Sequence, residues 1–214
     1  MNDHLNTLFP KNVNSEISDL ISDKVELLPA EATISQRYSP KRLREFTTGR
    51  VNARHLLERY NIQGYPLLPN ADRAPIWPPG IIGSISHCND RCGVIVTESK
   101  HYRSIGFDVE NKRDFNYSAR KFICTNEEEQ WLLTQPESSR SQKLLLIFSI
   151  KESLYKCLYQ ADGIKLGFKN VSAIPDDKTD SFLLNFVANE YKKYNHIKTR
   201  FTMSKQHIYT FAHY

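Results

Sequence analysis

The feature that most restricts how this chain can fold is I-G-F-D-V-E at 105–110, read together with F-S-I-K-E-S-L-Y-K at 148–156. An apolar lead-in that ends in carboxylates at alternate positions suits a strand. Residues i and i+2 of a strand point to one face, so Asp108 and Glu110 project side by side. Acidic residues are disfavoured in strands, and two like charges held that close call for a cation between them. The second segment reads as helix, where Glu152 and Lys156 share a face at i, i+4. A hard divalent ion held by a few carboxylates, its other positions left to water and phosphate, is the usual magnesium arrangement. Together the segments imply magnesium-dependent chemistry on a phosphate or pyrophosphate. Taken singly, Glu152 and Lys156 read better as an exposed ion pair worth about 0.3 kcal/mol.

The other elements follow from local signals. Residues 1–36 show loose apolar spacing (Leu5, Leu8, Phe9, then Ile17, Leu20, Ile21, then Val25, Leu27, Leu28) and predict short strands and turns. A helix is predicted over 39–60, with Ser39 as N-cap, Pro40 at the first helical position and Leu43, Phe46, Ala53, Leu57 and Tyr60 as its buried stripe. Gly49 inside it costs about 1 kcal/mol relative to Ala, which points to close backbone packing. After a proline-rich stretch, strands are expected at 81–86, 93–97 and 103–110, with a polar turn at 87–92. Thr125 and Glu128 form a capping box opening a helix through Leu133. A longer helix is expected over about 141–160, with Leu144, Ile147, Phe148, Leu154 and Leu158 apolar and Gly163 ending the unit. Alternating segments at 181–190, 196–204 and 207–214 read as antiparallel strands.

Each half of the chain thus holds a long helix and a small sheet, with a soft boundary near residue 105. The length, 214 residues, is enough to bury a core without disulfides or a structural metal. No apolar run reaches the ~20 residues needed to cross a bilayer, and the N-terminus lacks signal-peptide regions, so a cytoplasmic protein is expected. His87, Cys88 and Cys92 lack the second ligand pair of a structural zinc site. The net charge of +5 suits an anionic ligand or acidic partner, but no dense basic run points to nucleic acid.

Two more clusters stand out. Gly83-Ser84-Ile85-Ser86-His87 puts a serine and a histidine at a strand end, where phosphate-binding groups often sit. No nucleophile elbow accompanies them. Arg42, Arg50 and Arg54 lie on the first helix. Arginine forks bind phosphate well, although a solvated basic face is the better reading of these residues alone.

Four segments in order, K-R-L-R-E-F-T-T-G-R-V-N-A-R, R-A-P-I-W-P-P-G-I-I-G-S-I-S-H-C, I-G-F-D-V-E and F-S-I-K-E-S-L-Y-K, resemble the 4′-phosphopantetheinyl transferase superfamily over about residues 39–165. The likeness is to the enterobactin synthetase component D type, with the surfactin type as wider kin. The resemblance implies an α+β, pseudo-dimeric fold of two similar halves, each with a long helix packed on a small, mainly antiparallel sheet. Residues 1–105 would carry the coenzyme A nucleotide contacts and 106–214 the metal site and catalytic helix, with coenzyme A in the cleft between them. It implies transfer of phosphopantetheine from coenzyme A to a carrier-protein serine, releasing adenosine 3′,5′-bisphosphate.

Residue by residue, Asp108, Glu110 and Glu152 match the magnesium carboxylates, with Asp108, Glu152 and Lys156 as the catalytic set. Lys156 matches the lysine near the pyrophosphate, and Lys151 a lysine that lines the cofactor site. Ser86 and His87 match the pair on the coenzyme A phosphates, His87 at the 3′-phosphate. Arg42, Arg50 and Arg73 match basic positions around the nucleotide. Glu127 and Glu128 compete for a further family glutamate. Phe107 stands where a smaller aliphatic is usual and should face away from the metal. The expected cofactor is Mg2+, with Mn2+ as substitute. The expected partners are coenzyme A and apo acyl, peptidyl or aryl carrier domains of nonribosomal peptide (siderophore or antibiotic) or polyketide synthases. No nucleic acid is expected, and the chain should act as a monomer. The rival readings are a non-catalytic module binding coenzyme A or a carrier protein, and another magnesium phosphotransferase.

Overall fold

The structure is a computed structural model that describes residue 5 and residues 7–21, 27–112 and 115–214. The chain forms two compact units: Pro10–Tyr102, and Arg103–Tyr214 together with the described residues through Phe9.

The first unit contains β1 (Asn14–Asp19), α1 (Pro29–Ser35), α2 (Pro40–Glu58), β2 (Ile81–His87) and β3 (Arg91–Glu98). Its sheet has the order β1-β3-β2, antiparallel throughout. Ser39 caps α2, its hydroxyl accepting from the Arg42 N–H, and Pro40 takes the first helical position. Ala53, Leu56 and Leu57 of α2 pack on Val94 and Val96 of β3 and on Leu67. Burying side chains of this size contributes about 1.5–3 kcal/mol each for the larger ones, which fixes the helix on the sheet. The close packing expected at Gly49 is present: a Cβ there would lie 3.2 Å from Ile85 Cγ2. Of the expected stripe, Leu43 and Tyr60 are only partly covered.

Two local expectations need correction here. Among the described residues of 1–36 the structure has the strand β1 and also a helix, α1, where only strands and turns were expected. Pro29 pre-sets the first turn, and the buried Glu31 carboxylate accepts from the Leu28 N–H, the Leu67 N–H and Arg54. Two of those partners are far along the chain, so no local pattern announces the helix. Val25 of that reading lies outside the described residues. The polar turn at 87–92 shrinks to Cys88–Asp90, because His87 pairs with Cys92 in the ladder.

The second unit contains β4 (Ile105–Asn111), α3 (Arg120–Ile123), α4 (Asn126–Thr134), α5 (Glu137–Asp162), β5 (Val171–Asp176), β6 (Ser181–Phe186), β7 (Lys198–Met203) and β8 (His207–His213). Its three-stranded sheet has β8 between β4 and β7, and β5 pairs with β6 as a separate ribbon. Here too one long helix lies on a three-stranded antiparallel sheet, so the fold class is α+β. Gly106 permits the contact between β4 and α5. A Cβ there would fall 1.9 Å from the Ser153 carbonyl oxygen, so only glycine lets the strand approach the helix backbone this closely. Gly163, in the left-handed region at φ 69°, ends α5 and donates to Leu158 and Tyr159 carbonyls. Leu146, Ile150, Leu154 and Leu158 of α5 share a core with Val171, Phe186, Ile208 and Ala212.

Helix α5 begins four residues before its expected start, in the polar E-S-S-R turn, which carries no apolar signal. β5 was not anticipated: Pro175 interrupts its pattern but is accommodated near the end of a two-stranded ribbon. The segment expected as strand to residue 190 leaves the ribbon at Phe186, and Asn189–Tyr194 is a short 3₁₀ turn. Among the described residues no helix is long and apolar enough to cross a membrane.

Candidate active site

The β4 ladder sets Asp108 opposite Thr210 and Glu110 opposite Ile208 of β8, so the two carboxylates share a face of the strand. Asp108 is buried and held from two sides. Lys156 Nζ donates to Oδ1 at 2.8 Å and Ser149 Oγ donates to Oδ2 at 2.9 Å. Lys156 also donates to the Phe107 carbonyl at 3.0 Å. The Phe107 ring is fully buried, 5.7 Å from the Phe9 ring, on the face of β4 away from the carboxylates. A column of hydroxyls backs Asp108: Thr210 Oγ1 lies 2.9 Å from Ser149 Oγ and 2.8 Å from Ser153 Oγ.

Glu152 stands on α5 one helical turn before Lys156. The isolated reading of Glu152 and Lys156 as an exposed ion pair fails, because Lys156 takes Asp108 as its partner. Among the described residues none donates a hydrogen bond to the Glu152 carboxylate or pairs with it. Burial pushes the Glu152 carboxyl above the usual glutamate range, the Lys156 ammonium pulls it back, and the nearby Asp108 charge adds to the rise. A half-buried carboxylate beside Asp108, on the helix that carries Lys156, is a donor set that a hard divalent ion fits. Glu152 also lines a cavity of about 260 Å³ with Lys151, Tyr155, Leu166, Gly167 and Phe168.

Lys151 faces the interior. Its ammonium donates to Glu128 Oε2 at 2.6 Å and to the carbonyls of Phe168 and Ile123 at 2.7 and 2.8 Å. The two glutamates left open by the sequence part company here. Glu128 is buried and completes the α4 capping box, whereas Glu127 is exposed and accepts from Asn185. Sequence reasoning missed Ser149, Ser153 and Thr210. The only signal was a pair of hydroxyls four residues apart interrupting an otherwise apolar helix face.

In the first unit, His87 ends β2 next to the buried Ser86. Arg42 Nη1 lies 2.8 Å from His87 Nε2, and since a guanidinium only donates, Nε2 accepts in this contact. Glu45 joins them, 3.3 Å from Arg42 and 3.5 Å from His87. Arg50 and Arg54 do not form the solvated basic face that the sequence favoured. Arg50 is buried, donates to the Leu67 carbonyl and stacks on the Phe46 ring at 4.0 Å, and burial lowers its guanidinium to about 10. Arg54 pairs with the buried Glu31 at 2.7 Å. Arg73 is exposed at φ 68° in the turn organised by Asn70.

Residues 30–97 match the 4′-phosphopantetheinyl transferase N-terminal domain, and residues 104–212 match the 4′-phosphopantetheinyl transferase superfamily. The chain belongs to the 4′-phosphopantetheinyl transferase superfamily. It is a transferase, similar to several curated phosphopantetheinyl transferases. Svp of Streptomyces mobaraensis is 34% identical over 77% of this chain and 68% of its own length. PptT of Mycobacterium tuberculosis is 30% identical over 77% and 74%. Enterobactin synthase component D of Escherichia coli is 30% identical over 64% and 65%. The holo-[acyl-carrier-protein] synthase of Thermotoga maritima aligns with a TM-score of 0.42 and 15% identity, over 51% of this chain and 61% of that one.

Proposed function

We propose that this phosphopantetheinyl transferase moves 4′-phosphopantetheine from coenzyme A to a serine hydroxyl of an apo carrier protein, with magnesium required and adenosine 3′,5′-bisphosphate released. The observation that carries the reading is the ion pair of Lys156 with the buried Asp108 across β4 and α5, with Glu152 within reach of both charges and Glu110 on the same strand face as Asp108, in a member of this family. Asp108, Glu110 and Glu152 would hold the metal, with manganese as a substitute. Bound there, magnesium neutralises the charge of a pyrophosphate that otherwise resists attack by an alcohol.

The chain's own residues divide the remaining work. Glu152 accepts the proton of the carrier serine from its place on α5 beside Asp108. The serine oxygen attacks the phosphorus that bears pantetheine, and the bond to the bisphosphate oxygen breaks. Lys156 stabilises or protonates the leaving bisphosphate. Lys156 and Ser149 hold Asp108 in place. Arg42, Ser86 and His87 serve the nucleotide phosphates, His87 at the 3′-phosphate, with Arg50 and Arg73 around them. The nucleophile belongs to the partner, so the chain needs none of its own. The component D relatives carry the name of an enterobactin synthase, which favours a siderophore synthase as the source of the carrier.

The test is incubation with coenzyme A, magnesium and an apo peptidyl carrier protein, read as the intact mass of the carrier. A gain of one phosphopantetheine that is lost with a chelator supports the assignment. No gain on peptidyl, aryl and acyl carriers, with coenzyme A still binding, would leave a binding module.

A further inference from the structure

Lys151 precedes Glu152 directly, yet its ammonium has no donor left to offer. A lysine carries three N–H donors. Here Glu128 Oε2, the Phe168 carbonyl and the Ile123 carbonyl take them at 2.6, 2.7 and 2.8 Å. Both partners are inside the protein, Lys151 at 2% exposure and Glu128 at 0%. A ligand phosphate could reach this ammonium only by displacing one of these three acceptors, and displacing Glu128 would leave a buried carboxylate without its cation, which is strongly unfavourable.

Glu128 passes the constraint onward. Its Oε2 also accepts from the Thr125 N–H at 2.7 Å, and its Oε1 accepts from the Ala173 N–H at 2.8 Å. One pair therefore ties the last residue of α3, the cap of α4, β5 and the Gly167–Phe168 segment to α5. The tie is made at the residue next to Glu152, and Gly167 and Phe168 line the same cavity as Glu152. Hydrogen bonds of this kind are directional, whereas an apolar contact would let the Phe168 carbonyl slide.

We propose that Lys151 and Glu128 act as one positioning pair that fixes the Gly167–Phe168 wall of the cavity relative to Glu152, and that Lys151 takes no ligand phosphate. The kinetic consequence rests on the transferase reading above; the burial of the lysine does not.

The first measurement uses the unaltered protein. It is treated with an amine-acetylating reagent, with and without coenzyme A and magnesium, and modified lysines are read by peptide mass spectrometry. Lys151 should stay unmodified in both conditions, while Lys156 is modified and then protected by coenzyme A. Labelling of Lys151 in the free protein, protected or not, would overturn the proposal. The second measurement compares Lys151→Met with the double variant Lys151→Met/Glu128→Met. The single variant strands a buried charge and should unfold at lower temperature. The double variant removes both charges and should recover most of that loss. Its kcat should nevertheless stay at least tenfold down, with the KM for coenzyme A within threefold of the parent. Recovery of both stability and kcat would reduce the pair to a packing role. A tenfold rise in KM with kcat retained would make Lys151 a phosphate ligand; either result overturns the proposal. Absence of transfer by the unaltered protein would refute the transferase reading, and the labelling pattern would still decide whether Lys151 is sequestered.

Discussion

Asp108 shows how a single side chain can be readable and yet only half understood from sequence. Its alternation with Glu110 follows from the strand period of two, and the shared face of Glu152 and Lys156 from their i, i+4 spacing, close to one helical turn. What holds it does not follow, because Ser149 lies 41 residues away and Thr210 pairs with it only through the β4–β8 ladder. The same limit hid the lysine partner of Glu128, which lies 23 residues on although the capping signal of Glu128 was local. Replacing Asp108 or Glu152 by Ala should lower turnover by about 10²-fold or more, the scale of removing a group that stabilises transition-state charge. Carrier mass gain per minute measures it, with circular dichroism to establish folding. Unchanged turnover in a folded Asp108→Ala protein would sink the metal assignment. His87→Ala should instead weaken coenzyme A binding about 10- to 100-fold, the equivalent of one charge-assisted hydrogen bond of about 1.5–3 kcal/mol. Titration calorimetry reads this directly, and intact affinity with lost turnover would move His87 into the chemistry.

At the level of elements, α2 and α4 were legible from their caps and α5 from its apolar face, whereas α1 was not. Ser39-Pro40 and Thr125 with Glu128 announce α2 and α4 at their first residues. α1 was invisible because its anchor, Glu31, is satisfied by Arg54 and Leu67 from elsewhere in the chain. Gly106 was part of the segment read first, but its reason is tertiary: the α5 backbone occupies the space a side chain would need. Gly106→Ala should therefore destabilise at the upper end of overpacking, by about 3 kcal/mol. Gly163→Ala, which meets no atoms but must hold φ 69°, should lose only about 1 kcal/mol. Urea titrations of the two variants separate these causes. Equal losses would mean that β4 and α5 can move apart without penalty.

For the whole molecule, the proposed metal site would link magnesium binding to stability. Burial raises the Glu152 carboxyl above the usual glutamate range. Without metal, the folded protein therefore keeps this proton to higher pH than the unfolded chain does. Where the folded state binds more protons, stability falls as pH rises. The loss begins near the ordinary glutamate value, continues through the raised folded value, and persists above it. A divalent cation bound to the carboxylates reverses the penalty. Magnesium should thus raise the melting temperature more at neutral pH than in mild acid. At about 100 times its dissociation constant, the gain is about 2.7 kcal/mol. For a chain of this size that corresponds to roughly 5–10 °C. Thermal melts with chelator and with magnesium, at mildly acidic and at neutral pH, measure both slopes. Glu152→Gln should flatten the metal-free pH dependence and remove most of the magnesium shift. If that variant keeps the full shift, the ion is held elsewhere, and the cluster around Asp108 is not the metal centre.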